Sequence, residues 1–492
     1  MLETIPQTRS SLLLLLSFLL VFFVSPLGAQ GIFSAQEVDQ PARPTGGQPM
    51  FLDFIRHNVR VPFANLLEEV SGKVGIRGII EPDGTMASIE VVNGLNPASN
   101  NEVKRIFSLY KAWEPAQKDG RKVRQYFQYT LQFPPQELRG LDRQNRVIDY
   151  YFSKAAKRID SEADADFHIQ VNMDENGLPT DLVKVRSKSR KKWSEFEEMR
   201  NEPVELPRDR VAQILGVEES DLALYLDGSE GYLIKIHVDP FDLELPDYIV
   251  TKERRMVMES LPGSYSKIYY ASGQTAEVRM YEGEAITQNL SWYPNSIVKE
   301  KYYSEFQSDG TRADKVIALY DQTGKPLVLN GQGELTETGF RWGTGRFEDG
   351  FLTGTWKILT PGGEICEEVY EKSRLINGKR IRLNGQEVTY EKIRVSPTFE
   401  GGDSSLYKFL AQMIRYPSEA SRARVQGRVV ISFIVNPDGT IQDLKVEKSV
   451  SPDLDREALR VLGFTSGKWV PGTERGVPTA MRYTIPVNFT LQ

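Results

Sequence analysis

From Val429 to Val435 apolar side chains recur at every second position, and the run stops at Asn436-Pro437-Asp438-Gly439, whose proline and glycine suit a tight turn. Alternation resumes at Leu444 and Val446, so the two stretches predict a β-hairpin. Ser451-Pro452 then supplies a helix N-cap with proline at the first helical position, and Leu454, Ala458, Val461 and Leu462 share one helical face. The chain ends on its cleanest alternation: Met481, Tyr483, Ile485, Val487, Phe489 and Leu491 fall on one face, and Arg482, Thr484, Asn488 and Thr490 on the other. That predicts a strand with one buried face and one wet face. Pro486 falls on the wet face and lacks an amide donor, which in a sheet confines it to an edge strand or a bulge.

The same succession occurs near the start of the chain. Asn96-Pro97 open a helix there, with Val103, Ile106, Phe107 and Tyr110 as its apolar stripe. Pro82-Asp83-Gly84-Thr85 lies 355 positions before Pro437-Asp438-Gly439-Thr440, and the same offset places Pro62 on Pro417, Val70 on Val425, Gly72 on Gly427, Ile79 on Ile434 and Pro97 on Pro452. One residue later in the alignment, an offset of 356 maps Trp113 to Trp469, Pro115 to Pro471, Gly120 to Gly476 and Phe133 to Phe489. The reading is two copies of one module, residues 50–135 and 398–492, each a helix, a hairpin, a second helix and a final strand.

Residues 140–250 read as an α+β region: Phe167 to Val185 holds two strands around Asp174-Glu175-Asn176-Gly177, helices are expected around Trp193 and Val211, and Tyr232 to Val238 is a candidate closing strand. A degenerate third module is one interpretation of it. From 263 to 392 the texture changes to short Tyr/Trp-rich strands between Gly and Asn turns, as in Tyr269-Tyr270-Ala271-Ser272-Gly273-Gln274 and Trp292-Tyr293-Pro294-Asn295-Ser296. Each unit reads as one hairpin of an elongated sheet. The pattern is similar to MORN-type repeats, with Gly345-Arg346-Phe347-Glu348-Asp349-Gly350 and Gly354-Thr355-Trp356 as the nearest matches. The expected fold class is therefore α+β, two modules flanking a repetitive antiparallel β region.

Composition narrows the function. The 492 residues exceed one ordinary core, and a net charge of −6 from 67 acidic and 61 basic residues offers no large positive field for a phosphate backbone, so nucleic acid is not an expected partner. Leu12 to Val24 is an apolar run broken only by Ser17, after Arg9 and before Ser25-Pro26-Leu27-Gly28-Ala29-Gln30. Its 13 residues reach about 20 Å, short of the roughly 30 Å hydrocarbon core, which reads as a signal peptide over 1–29 with export to the periplasm or cell envelope. An uncleaved membrane anchor is the alternative. Residues 30–49, with Pro41, Pro44 and Gly46-Gly47, read as a linker. Cys366 is the only cysteine, and His57, His168 and His237 lack metal-ligand spacing. No Gly-x-Ser-x-Gly elbow is present, and the basic cluster Arg186 to Lys192, neutralised by Glu195, Glu197 and Glu198, reads as a solvated helix start or loop. The expectation is a protein that is not an enzyme and takes no cofactor or metal.

Phe399-Glu400-Gly401-Gly402, Tyr416-Pro417, Gln426-Gly427, Pro437-Asp438-Gly439, Leu454-Asp455, Glu457-Ala458-Leu459-Arg460, Trp469-x-Pro471-Gly472, Gly476-x-Pro478 and Pro486-x-x-Phe489 together resemble the TonB C-terminal domain family over about residues 398–492. The copy at 50–134 resembles it more weakly, keeping Trp113-x-Pro115 and the Pro-Asp-Gly turn, with Val61-Pro62 in place of Tyr-Pro. The resemblance implies that the domain binds an extended segment of an outer-membrane receptor, or of another envelope protein, alongside its last strand. The implied partner-binding residues are Arg482, Tyr483, Thr484, Ile485, Asn488 and Phe489. It also implies a role linked to TonB-dependent outer-membrane transport. A complete transducer of that family has an uncleaved membrane helix and a long proline-rich stretch, and this chain departs from it in both. Two other readings therefore stand beside transport: an envelope scaffold, and a membrane-anchored energy transducer if the apolar run is retained.

Overall fold

A computed structural model describes residues 31–491 except 156, 202–203, 206–207, 227–231, 238–244, 246, 252, 262, 284, 308–311 and 338–340. The expected signal peptide, 1–29, and Val238 lie outside the described residues. Among the described residues no helix is long and apolar enough to cross a membrane.

The N-terminal unit consists of the helix Gly47–Asn58, a short helix Phe63–Leu67, the hairpin Gly72–Ile80 and Met86–Asn93, the helix Pro97–Leu109 and the strand Arg121–Phe133. In its sheet, Gly72–Ile80 lies between Met86–Asn93 and Arg121–Phe133. The Asn96 side chain accepts from the Ser99 amide at 2.8 Å and so starts the second helix. Gly84 closes the Pro-Asp-Gly turn at φ +83°, where a Cβ would lie 2.5 Å from the Trp113 carbonyl oxygen, so no larger residue fits.

The stretch 30–49, expected as a linker, is instead built into this unit. Ile32–Phe33 pairs in parallel with Arg124 and Gln125, and Arg43–Pro44 pairs with Trp113–Glu114. Its polar backbone groups find partners: the Gln40 and Gln117 amides each donate to the other's carbonyl, at 3.1 and 2.8 Å. Gly46 and Gly47, at φ +77° and +80°, serve to turn the chain into the first helix, which therefore begins before Met50.

Leu141 to Arg200 forms a separate seven-stranded sheet. The helix expected around Trp193 is replaced there by a two-residue hairpin: Ser189 faces Lys192, and Arg190 and Lys191 take positive φ of 50° and 65°. The basic cluster is thus strand and turn. Arg186 and Lys188 lie over the Trp193 ring, which ties that indole to the strand it pairs with. The helix expected around Val211 is present as Arg208–Leu215.

From Val204 to Tyr390 sixteen strands follow one another in chain order, each antiparallel to the next, in a single sheet. Its first strands, including Tyr232–His237, thus lie within the stretch grouped above as 140–250. The N-terminal unit shares a core with this sheet: Phe54, Ile55, Tyr110 and Trp113 pack in one cluster with Val278, Leu290, Trp292, Ala318 and Tyr320. Burying a Phe54-sized side chain contributes about 1.5–3 kcal/mol, so this joint is a structural one.

The C-terminal unit has its own core. A three-stranded sheet, in the order Ile441–Lys448, Gly427–Val435 and Met481–Phe489, is covered by the helices Gly402–Met413 and Pro452–Gly463. It meets the long sheet through Arg475, whose Nε donates to Glu368 at 2.8 Å. Glu368 is fully buried and also accepts from the Tyr370 and Tyr390 hydroxyls, each at 2.6 Å. A buried carboxylate is tolerable only with its lone pairs so occupied.

Candidate functional site

The six residues singled out at the C-terminus all lie on the strand Met481–Phe489, and the fold explains why that strand sits at an edge. Gly427–Val435 is the most apolar stretch of the unit, with Val429, Ile431, Phe433 and Val435 fully buried, so it takes the centre and is paired on both sides. The Asn436 to Thr440 turn sends the chain to one side of it. There the Asp438 carboxylate accepts from the Thr440 amide at 3.0 Å and hydroxyl at 2.6 Å, which holds its pKa below the ordinary carboxylate value. The final strand takes the other side, in unbroken register from Gly427 opposite Phe489 to Val435 opposite Met481. Among the described residues no strand pairs with its outer side.

Side-chain placement divides the six. Ile485 and Phe489 are buried in the core, and Tyr483 packs beside it against Trp469 with ring centroids 5.1 Å apart. Burial raises the Tyr483 hydroxyl pKa. These three contribute backbone and support to the edge. Arg482, Thr484 and Asn488 are exposed on the wet face. Two residues not singled out in advance bond to them, the exposed Glu447 and the buried Ser432: the Ser432 hydroxyl donates to Glu447 at 2.6 Å and accepts from Arg482 at 3.0 Å, a polar chain running across all three strands. Period-two alternation marks such wet-face residues as exposed, but which of them align across strands depends on register, which the pattern alone does not supply.

Pro486 decides which backbone groups face outward. Paired residues in an antiparallel ladder alternate between those that exchange hydrogen bonds and those whose N–H and C=O point away. Pro486 stands opposite Val430 and has no N–H to give, so the continuous ladder assigns it to the outward set, with Arg482, Thr484 and Asn488 in the same phase. The open side thus offers three amides and, with Pro486, four carbonyls.

Trp469 is a packing residue. It is nearly buried, lies against Phe399 and Phe433 with centroids 5.6 and 5.2 Å away, and donates from Nε1 to Thr465 at 3.1 Å. At Trp113 the corresponding Nε1 is buried and has no hydrogen-bond partner among the described residues. At the end of the first helix a second polar motif fixes the fold. Glu457 Oε1 accepts from the Arg415 amide at 2.5 Å, and Arg460 bridges Glu457 and the Met413 carbonyl. Burial opposes ionisation of Glu457, but the Arg460 and Arg415 hydrogen bonds prevail and hold its pKa below the usual value.

His168 is buried, with Nε2 2.6 Å from Asp149 and Nδ1 accepting from Arg186 at 2.8 Å, so both ring nitrogens are taken up by neighbouring side chains. Among the described residues no group of three or more His, Cys, Asp or Glu is placed to hold a metal ion.

Residues 412–491 match the family described as the Gram-negative bacterial TonB protein C-terminal, which makes this segment a TonB-type domain. Proteins described as "Protein TonB" from two strains of Xanthomonas campestris pv. campestris, B100 and ATCC 33913, are each 38% identical over 78 residues, 16% of this chain and 34% of theirs. The match spans about a third of those relatives. Two NMR solution structures of Helicobacter pylori TonB-CTD are 23% identical, with TM-scores of 0.15 and 0.16, covering 18% of this chain and 90% and 79% of theirs.

Proposed function

We propose that this is a TonB-like, non-enzymatic protein of the cell envelope whose final strand captures an extended peptide segment by strand addition. The observation that carries the reading is the open side of Met481–Phe489, at the edge of a sheet that matches the TonB C-terminal family. The partner-binding groups are the outward amides and carbonyls in the span from Arg482 to Asn488, backed by the packing of Tyr483, Ile485 and Phe489. Each added hydrogen bond contributes about 0.5–1.5 kcal/mol net, so binding is modest and reversible, as a coupling that must release requires. The partners are segments of outer-membrane receptors or other envelope proteins, and the role is linked to TonB-dependent outer-membrane transport. Export through a cleaved signal peptide and a periplasmic location belong to this reading.

The N-terminal unit is a second copy of the same module. Two features support this: strands in the same order and register, and the same polar motif, with Glu102 Oε1 accepting from the Arg60 amide at 2.7 Å and Arg105 donating to the Asn58 carbonyl at 2.6 Å. The sixteen-stranded meander between the copies is read as MORN-like repeats that space and orient them. One observation favours the scaffold alternative: the core shared by the N-terminal unit and the meander makes a rigid platform.

The test is binding of synthetic receptor N-terminal segments to the full chain by fluorescence anisotropy, before and after Thr484→Pro. Saturable binding that the variant weakens at least twofold, the loss of one such hydrogen bond at about 0.5 kcal/mol or more, supports capture at this edge. Equal binding to both proteins, or none to either, excludes it.

A further inference from the structure

We infer that the C-terminal unit carries a docking surface distinct from its strand edge: the face around Lys408, Arg415, Arg460 and Phe464, which fits the turn end of an acidic antiparallel β-hairpin on a partner protein. The inference rests on the reading that the two units are copies of one module, and its evidence is what the first copy does with the same face.

In the N-terminal unit that face grips the turn ends of two successive hairpins of the protein's own long sheet, Tyr265–Tyr269 with Thr275–Glu282 and Ala285–Trp292 with Val298–Phe306. Arg60 and Arg105 both donate to the Gly273 carbonyl, at 3.0 and 3.4 Å, and the Arg60 guanidinium lies 5.0 Å from the centre of the Tyr269 ring. The Asn58 side chain accepts from the Thr275 amide at 2.7 Å, and Thr275 Oγ1 donates to the His57 carbonyl at 2.8 Å. Asp53 pairs with Lys301 at 2.6 Å, and Ser296 donates to the Leu109 carbonyl at 2.8 Å. Phe54 is fully buried beneath these contacts, with its ring 6.3 Å from that of Trp292.

The register of the repeat places Arg415 on Arg60, Arg460 on Arg105, Phe409 on Phe54, Phe464 on Leu109 and Lys408 on Asp53. The framework that aims the two arginines is also shared, since Glu457 holds the Arg415 amide as Glu102 holds that of Arg60. What differs is the cover. Among the described residues the Arg415 guanidinium donates no hydrogen bond. Phe464 is 48% exposed, its ring 5.2 Å from the Arg460 guanidinium. A cationic pair able to hold a turn carbonyl therefore stands beside an exposed aromatic ring with nothing upon it.

Charge defines the occupant. Where Asp53 meets Lys301, the second copy has Lys408, and Lys468 lies over the Phe409 ring at 6.0 Å, so the face carries four cations against the single carboxylate of Glu457, where the first sets Arg60 and Arg105 against Glu102 and Asp53. A partner strand presenting a carboxylate where the long sheet presents Lys301 complements it. The protein's own sheet does not, because Lys301 would meet Lys408 like to like, and this also disfavours a second copy of the chain as the occupant.

Photo-crosslinking tests this in cells producing the full chain, with a benzophenone amino acid at position 464 and, separately, at 484, and mass spectrometry to map each adduct. The expected result is an adduct from 464 on a turn between antiparallel strands of another protein, lost at least tenfold in Arg415→Glu and in Lys408→Glu, while adducts from 484 persist. Adducts from 464 on lipid, on another copy of this chain or on the extended segment reached from 484 would overturn the inference, as would no adduct or yields unchanged by both substitutions. Because the two positions report separately, failure at 464 leaves the strand-edge reading standing, and failure at 484 leaves this one.

Discussion

Replacing Arg475 by methionine should release the C-terminal unit from the long sheet without unfolding either. Glu368 is fully buried, the Arg475 side chain is 18% exposed, and they meet at 2.8 Å. Removing one member of a buried pair costs about 3–5 kcal/mol, because the remaining charge is stranded in low dielectric. The Tyr370 and Tyr390 hydroxyls continue to donate to Glu368, which puts the expected cost near the lower end, about 3 kcal/mol. At about 1.4 kcal/mol per decade, that corresponds to a roughly hundredfold rise in local opening. Amide hydrogen exchange on the full chain reads it directly: amides of Ile365–Glu371 and Glu387–Tyr390 should exchange about a hundredfold faster, with Gly427–Val435 unchanged. Adding Glu368→Gln removes the stranded charge and should recover most of the loss. Exchange in the single variant within about twofold of wild type, under 0.5 kcal/mol, would refute the claim that this pair holds the joint.

Trp113→Phe should cost less stability than Trp469→Phe, because only Trp469 loses an indole hydrogen bond, worth about 1 kcal/mol, and urea midpoints of the two variants decide it. Gly439→Ala should destabilise the C-terminal unit by more than about 1 kcal/mol, since the residue sits at φ +79° and a Cβ would lie 2.4 Å from the Trp469 carbonyl oxygen; a neutral result by the same measurement would contradict the turn geometry. Burial, with Lys267 adding to it, pushes the His57 pKa down to about 4 from its ordinary 6.5. Its neutral form is the folded one, so this stability is present above pH 6.5 and lost as pH falls toward 4, and a pH series of thermal melts should show the loss diminished in His57→Gln. Tyr483→Pro should unfold the C-terminal unit, because its amide is in phase with the internal ladder, whereas Thr484→Pro should leave circular dichroism unchanged.

Period-two and helical patterns locate the hairpin, the second helix and the last strand of the C-terminal unit, because there local alternation and tertiary burial agree. Pro486 narrows its strand to an edge or a bulge, and the sheet order places it at the edge. Residues 30–49 were not legible, since a Pro/Gly-rich stretch reads as linker unless its partners are known, and those partners, Gln117 and Arg124, lie far along the chain. Even so, Gly46-Gly47 stands 355 positions before Gly401-Gly402, and the four residues share φ of 77–80°, so the repeat carried the signal. The stretch around Trp193 reads as helical because it is dense in charged side chains, basic before the indole and acidic after it, while the two positive-φ residues of its hairpin are Arg and Lys, types that announce no turn. The joint at Glu368 was invisible: a glutamate in an alternating strand gives no sign that an arginine 107 positions later will reach it.

The most direct measurement of the central claim is amide exchange by NMR on the full chain, with and without a synthetic receptor N-terminal segment. The outward amides of Arg482, Thr484 and Asn488 should gain protection together, while those of Tyr483, Ile485 and Val487, already in the internal ladder, stay as they were. Protection appearing elsewhere on the chain, with these three amides unchanged, would contradict the account.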